Sequence, residues 1–229
     1  MVTVPVPRPS STRPRLSDRP SSPSLALEAG NLLALPGPRL ILALAIAAWC
    51  LRLALGDWTG ADLLPPLIVL ALEPLTEWVI HVFVLHFRPR RLFGRQVDLY
   101  VARKHRAHHA DPKDRLLVLI PFPVVVRMLI VGALLMWFLI PDHRIALTAM
   151  GSSFTMLAIY EWTHHLIHSP YRPKRGWYRY VWRAHRLHHF RNERYWFGVT
   201  VHAADHLLGT FPAKDEVPLS PTARALHGG

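Results

Sequence analysis

Two stretches of this chain, KHRAHHADP and HRLHHFRNE, repeat one spacing of histidines, H-x2-H-H, at His105, His108 and His109 and again at His185, His188 and His189. Three further groups surround them: His81 and His86 in HVFVLH, His164, His165 and His168 in EWTHHLIHS, and His202 and His206 in VHAADH. Neutral imidazole is a metal ligand, and its use here is a matter of geometry. At about 100° per residue, helical positions i, i+3 and i+4 fall within roughly a 100° arc, so H-x2-H-H aims three rings into one small volume. His81 and His86, five apart, diverge by roughly 140° on a regular helix. They serve two different metals, or the helix ends before His86, ahead of Pro89.

Counting narrows the chemistry. His81, His86, His105, His108, His109, His164, His168, His185, His188 and His189 form the expected ligand set, with His165, His202 and His206 as additional ligands or site-lining residues. Ten histidines exceed what a closed structural zinc or a catalytic zinc needs. Two six-coordinate ions of an imidazole-preferring metal such as iron fit the number and leave positions open. Soluble di-iron bundles use Glu with Glu-x-x-His, and that pattern is missing here. Glu77 and Glu161 each stand four residues before a histidine, His81 and His165, and are expected to accept from ring N–H groups. The isolated His143 and His227 read as interfacial or hydrogen-bonded residues. The single cysteine, Cys50, lies in an apolar block, so neither a disulfide nor a thiolate site is available.

These side chains need elements to hold them, and the elements are apolar. Blocks near 40–55, 63–87, 116–140 and 145–167 approach the roughly 20 residues that cross a hydrocarbon core. An all-α integral membrane fold with about four transmembrane helices is expected, beneath a helical cap formed by 88–115 and 168–210. The first block is the shortest and contains Arg52, so it spans or lies in the interface. Pro65, Pro66, Pro74, Pro121 and Pro123 interrupt the blocks, which membrane bundles tolerate.

Arg88 to Arg115 holds nine basic residues against three Asp, and the chain after Ser169 holds ten against four acids. Basic flanks stay in the cytoplasm, which puts the histidine site and both termini there. The net charge of +12 is then topology and attraction to anionic lipid rather than a nucleic-acid footprint. Residues 1–38, rich in Pro, Ser and Arg, read as a disordered tail, and 211–229 as a flexible one, leaving 39–210 as the membrane-embedded domain. Trp177, Tyr178, Tyr180, Trp182, Tyr195 and Trp196 suit an interfacial belt. Arg outnumbers Lys 23 to four, which hints at a GC-rich bacterial source and hence a plasma membrane.

In order, the histidine motifs resemble the integral-membrane fatty acid hydroxylase and sterol desaturase superfamily over roughly Glu77 to Thr210. HHADP with Pro112, the FGVT run, and Asp205 with Gly209 and Thr210 add to the resemblance. It implies a four-helix membrane base, a cytosolic cap and a histidine-bound di-iron centre, in which zinc can substitute on expression. It also implies a monooxygenase that uses O2 to hydroxylate or desaturate a lipid such as a fatty acyl chain, sterol or carotenoid. Asp205, with Glu77 and Glu161, would support the ligands. Electrons would come from an external cytochrome b5, ferredoxin or reductase, since the chain shows no domain of its own to supply them. The pair His202 and His206 departs from the superfamily pattern. Two rivals stay open: a membrane zinc-dependent hydrolase with Glu161 or Glu193 as base, and a histidine-rich metal transport protein.

Overall fold

The computed structural model describes residues 23–226; the expectations for residues 1–22 and for His227 lie outside them. The chain runs α1 (Leu25–Leu33), α2 (Pro36–Leu55), a 3-10 turn (Gly60–Leu63), α3 (Leu64–Val79) and a π-helical turn (Ile80–Leu85). A short hairpin of β1 (Arg90–Leu92) and β2 (Arg95–Val97) follows, then α4 (Tyr100–Ala110), α5 (Arg115–Val118), α6 (Phe122–Leu139) and α7 (His143–His168). The last helices are α8 (Gly176–Phe190) and α9 (Ala203–Leu207). The hairpin pairs Arg90 with Val97 and Leu92 with Arg95, and turns through Phe93 and Gly94, both at positive φ.

Three segments are long and apolar enough to cross a membrane: Pro36–Leu55, Gly60–Leu85 and Arg115–Leu139. Their outward faces are leucines and aromatics such as Leu70 and Phe138, exposed as only a hydrocarbon solvent accommodates. The fourth long helix, α7, has 26 residues but carries Thr, Ser, Glu and His along its length. It runs through the centre of the bundle against α2, α3 and α6, so its polar positions face protein. About four spans were expected; three helices have the length and apolarity to cross, and α7, the fourth long helix, is the more polar one packed among them. The core joins Ile41, Ala45 and Ala48 of α2 with Val125 and Leu129 of α6 and with Leu147, Met150 and Phe154 of α7. At Gly151 a Cβ would come within 2.7 Å of the Trp49 ring, so glycine sets how closely α2 and α7 approach.

Local chemistry explains how these helices tolerate their anomalies. Pro65 and Pro66 open α3, and Pro123 lies in the first turn of α6 behind Pro121 as N-cap. There a missing N–H has no intrahelical partner to lose. Pro74 alone of the five is inside a helix. Arg52 does not force α2 out of the membrane, because its Nε lies 2.9 Å from Asp62 Oδ1 and 3.1 Å from Thr148 Oγ1. The Trp58 ring covers the guanidinium at 3.8 Å. The block that carries the charge thus also reaches its counter-ion.

Both tail expectations are corrected within the described residues. Ser24 caps α1, its hydroxyl accepting from Leu27 N at 3.1 Å, and Leu32 packs with Val118 and Leu119. The C-terminal segment folds back: Val217 joins Ala184 and Trp196 in a core of its own, and Ser220 N donates to Arg191 O. Trp196 likewise departs from the belt reading, being buried with its indole N–H on Pro212 O. His143 stacks on Trp137 at 4.0 Å, apart from the other histidines.

Candidate metal centre

Four helical elements bring the histidines together at one end of the bundle, and they do so in two groups. Ring nitrogens of His81, His86, His105, His109 and His188 form the first, and those of His108, His164, His168, His185 and His189 the second. Within each group the five nitrogens lie within 4.8 Å of one another, and neither group contains a carboxylate. All ten expected ligands are present in the two groups, while His165, His202 and His206 are in neither.

The geometry corrects one expectation and decides between the alternatives of another. Each H-x2-H-H triplet does not fill one volume: His105 and His109 face the first group and His108 the second, whereas His185 and His189 face the second and His188 the first. On a helix i and i+4 are separated by roughly 40°, but i+3 and i+4 by roughly 100°, enough to address neighbouring sites. The two triplets therefore interlock, with the rings of His109 and His189 stacked at 4.1 Å. Of the two alternatives for His81 and His86 the second holds: the helical turn stops at Leu85 with His86 as its C-cap, and both belong to one group, their ring centroids 5.0 Å apart. A π-helical turn causes this, its hydrogen bond running from His86 N to His81 O at 3.0 Å. Widening the turn brings i and i+5 back onto one face, and such bulges recur at functional sites.

The far side of several rings is held by backbone. His81 Nδ1 meets Phe197 O at 2.6 Å, His188 Nδ1 meets Tyr195 O at 2.8 Å, and His109 Nδ1 meets Ala223 O at 2.8 Å. His164 and His168 lie beside the backbone of Val118 and Pro112. A carbonyl can only accept, so each such Nδ1 carries the proton and Nε2 presents its lone pair inward. Inward, Nε2 of His105 lies 3.2 Å from those of both His81 and His109, and Nε2 of His185 lies 3.0 Å from that of His189. Nε2 of His108, His164, His168 and His188 is buried with no hydrogen-bond partner among the described residues. Converging bare lone pairs are costly in a protein interior and are what a cation would satisfy. Burial holds His105, His108, His185, His188 and His189 well below the usual imidazole range, and neighbouring imidazoles push the same way. The cap rings are therefore neutral at pH 7 and available to coordinate.

The carboxylates act at a different place from the one expected. Glu77 does not accept from a histidine; it takes the backbone N–H groups of Val199 and Thr200, and the Thr200 hydroxyl at 2.7 Å. Asp205 accepts from Phe197 N at 3.0 Å, Gly198 N at 2.8 Å and Thr210 Oγ1 at 2.6 Å, and pairs with His202 Nδ1 at 2.8 Å. Together they brace the 197–200 loop whose Phe197 carbonyl orients His81. Gly198 is required there, since a Cβ would meet the Val201 carbonyl and lie 2.7 Å from His202 Nδ1. Glu161 accepts from Ile120 N at 3.0 Å, and His165 instead pairs with Glu28 of α1 at 3.0 Å. His206 bonds the Tyr180 hydroxyl at 2.8 Å.

Ala223 and Glu28 escaped the sequence reading. A carbonyl leaves no mark on residue type, but a single acid in the apolar run LALEAGNLL was a visible signal. Ending the chain at Glu216 removes the Ala223 carbonyl from His109. Metal affinity at the first group should then fall about 10- to 100-fold, the usual cost of losing a support behind a ligand. Metal titration of the shortened chain checks this.

Fold and site thus define a helical membrane protein built around two adjacent, histidine-only groups able to hold metal ions. Residues 66–210 match the fatty acid hydroxylase family, and the chain belongs to it. By that membership it is an oxidoreductase. A dihydroceramide fatty acyl 2-hydroxylase of Arabidopsis thaliana is 25% identical over 171 residues, covering 74% of this chain and 70% of that one. The fatty acid 2-hydroxylase of Homo sapiens is 28% identical over 59% of this chain, which spans only 36% of that protein. A solved structure titled "Full length scs7p (only hydroxylase domain visible)" superposes with a TM-score of 0.65 at 23% identity, over 80% of this chain and 68% of that one. That likeness establishes a shared fold.

Proposed function

We propose that this chain hydroxylates a C–H bond of a lipid acyl chain, with two iron ions held by the two five-histidine groups. The observation that carries the reading is the pair of adjacent, carboxylate-free histidine groups. Bound there, the metal would supply O2 activation, with the overall balance RH + O2 + two electrons + two protons giving ROH + H2O. The protein's own work is positional. Backbone carbonyls fix the ring tautomers, Glu77 and Asp205 hold the loop behind His81, and the buried cap keeps bulk water from the reacting carbon. The plant and mammalian relatives named above are 2-hydroxylases, which favours the carbon next to the acyl carbonyl and hydroxylation over desaturation.

Electrons would come from a separate carrier such as cytochrome b5, ferredoxin or a reductase. The basic flanks of the cap favour a cytoplasmic orientation for it. The relatives named here are eukaryotic, so the bacterial plasma membrane rests on composition alone. Neither rival gains support: the two groups contain neither Glu161 nor Glu193, and the histidines gather at one end of the bundle rather than along a path through it.

The test is elemental analysis of protein purified in mild detergent, followed by incubation with an acyl lipid, a reductant system and labelled O2. About two irons per chain and one labelled oxygen in a hydroxylated lipid are expected. One zinc per chain and unlabelled hydrolysis products would replace this reading with the hydrolase.

A further inference from the structure

Beside the second histidine group lies a cavity of about 510 Å³ whose wall includes His168 and His165. Four cations line it: Lys113 and Arg115 from the turn into α5, Arg172 from the segment after α7, and Arg186 from α8. No Asp or Glu is among its lining residues. Three acids stand near it outside the lining, Glu28 bonded to His165, Asp111 to Lys113 N and Asp114 to Leu116 N, and the four lining cations outnumber them. The Arg186 guanidinium sits 4.9 Å from the ring centroids of both Trp182 and Phe190, which fix it in place. Positive charge spread over a cytoplasmic face would follow from topology alone, but four cations converging on one concavity without an acid make an anion site. The volume suits a small-molecule group and excludes a folded partner.

We propose that this cavity takes the oxyanion headgroup, carboxylate or phosphate, of an acyl lipid whose chain is the substrate of the histidine site. The inference rests on the hydroxylase reading for the fate of the chain, and it names the substrate class as anionic. His168 belongs to both the cavity wall and the second group. A headgroup held there puts the first carbons of its chain beside the histidines.

The test is binding without turnover, on the full chain in neutral detergent. Palmitate and phosphatidylglycerol are compared with methyl palmitate and diacylglycerol, and with inorganic phosphate alone. The anionic lipids should bind at least about tenfold more tightly than the neutral ones, and added salt should weaken them. That preference should vanish in Lys113→Gln/Arg115→Gln and fall in Arg172→Gln. It should persist in Arg91→Gln on the hairpin, with metal content unchanged in all three. Equal binding of charged and neutral lipids, or a preference that survives the double substitution, overturns the proposal. Complete displacement of the lipids by equimolar inorganic phosphate would assign the cavity to a free anion and overturn the headgroup. A chain that shows the preference yet hydroxylates nothing leaves the cavity assigned and sinks the hydroxylase reading alone.

Discussion

His188→Ala will lower bound metal from about two ions per chain to about one, and the ion lost will be that of the first group, although His188 sits on the helix that supplies the second. His108→Ala will do the converse. The expectation follows from the interlock: α4 gives His105 and His109 to one group and His108 to the other, and α8 crosses the assignment over. Each variant leaves four histidines in the damaged group and five in the intact one. Turnover should fall at least about 100-fold in both, since loss of even a supporting partner behind a ligand costs 10- to 100-fold. The folded state should persist in each, because an alanine on these helices is compatible with the backbone and no packing core includes either ring. The check is elemental analysis joined to competition with a chelator. If both ions leave together in either variant, or neither leaves, the histidines do not form two separable sites.

This interlock also marks the limit of what residue types reveal. That these ten histidines gather was readable because i, i+3 and i+4 spacings limit where helical side chains point. Which ring serves which site was not, because a 100° arc covers either one broad site or two neighbours, and the choice depends on how α4 and α8 face each other. His81 and His86 show the same boundary more sharply. Their spacing diverges on an α-helix, and only a π-helical turn brings it together, a local widening that IHVFVL does not announce. The membrane blocks were legible from composition, yet the buried role of α7 was not, since a polar residue in a span is read correctly only once its neighbours are known. Arg52 looked like a defect in α2 until Asp62, ten residues on, came back to meet it. The C-terminal segment looked loose because its contribution to the site is a carbonyl, at Ala223, which every residue type possesses.

Asp205 offers the second large effect, and it acts on the metal without touching it. Its carboxylate takes Phe197 N, Gly198 N and the Thr210 hydroxyl, so Asp205→Ala strands two buried backbone donors. Each stranded donor costs about 1–3 kcal/mol, and the 197–200 loop is expected to relax away from α3. Phe197 O then leaves His81 Nδ1, and the ring loses the acceptor that fixes its tautomer. Metal at the first group should weaken about 10- to 100-fold, with the second group unaffected, because none of its five histidines is oriented by the Phe197 carbonyl. Asp205→Asn should fall between, since the amide keeps one oxygen for a backbone N–H but turns a donor toward the others. A purely structural role predicts a different pattern, in which the Ala variant melts earlier yet both ions resist chelator as before. That result would detach the loop from the metal centre and leave His81 oriented by its helix alone.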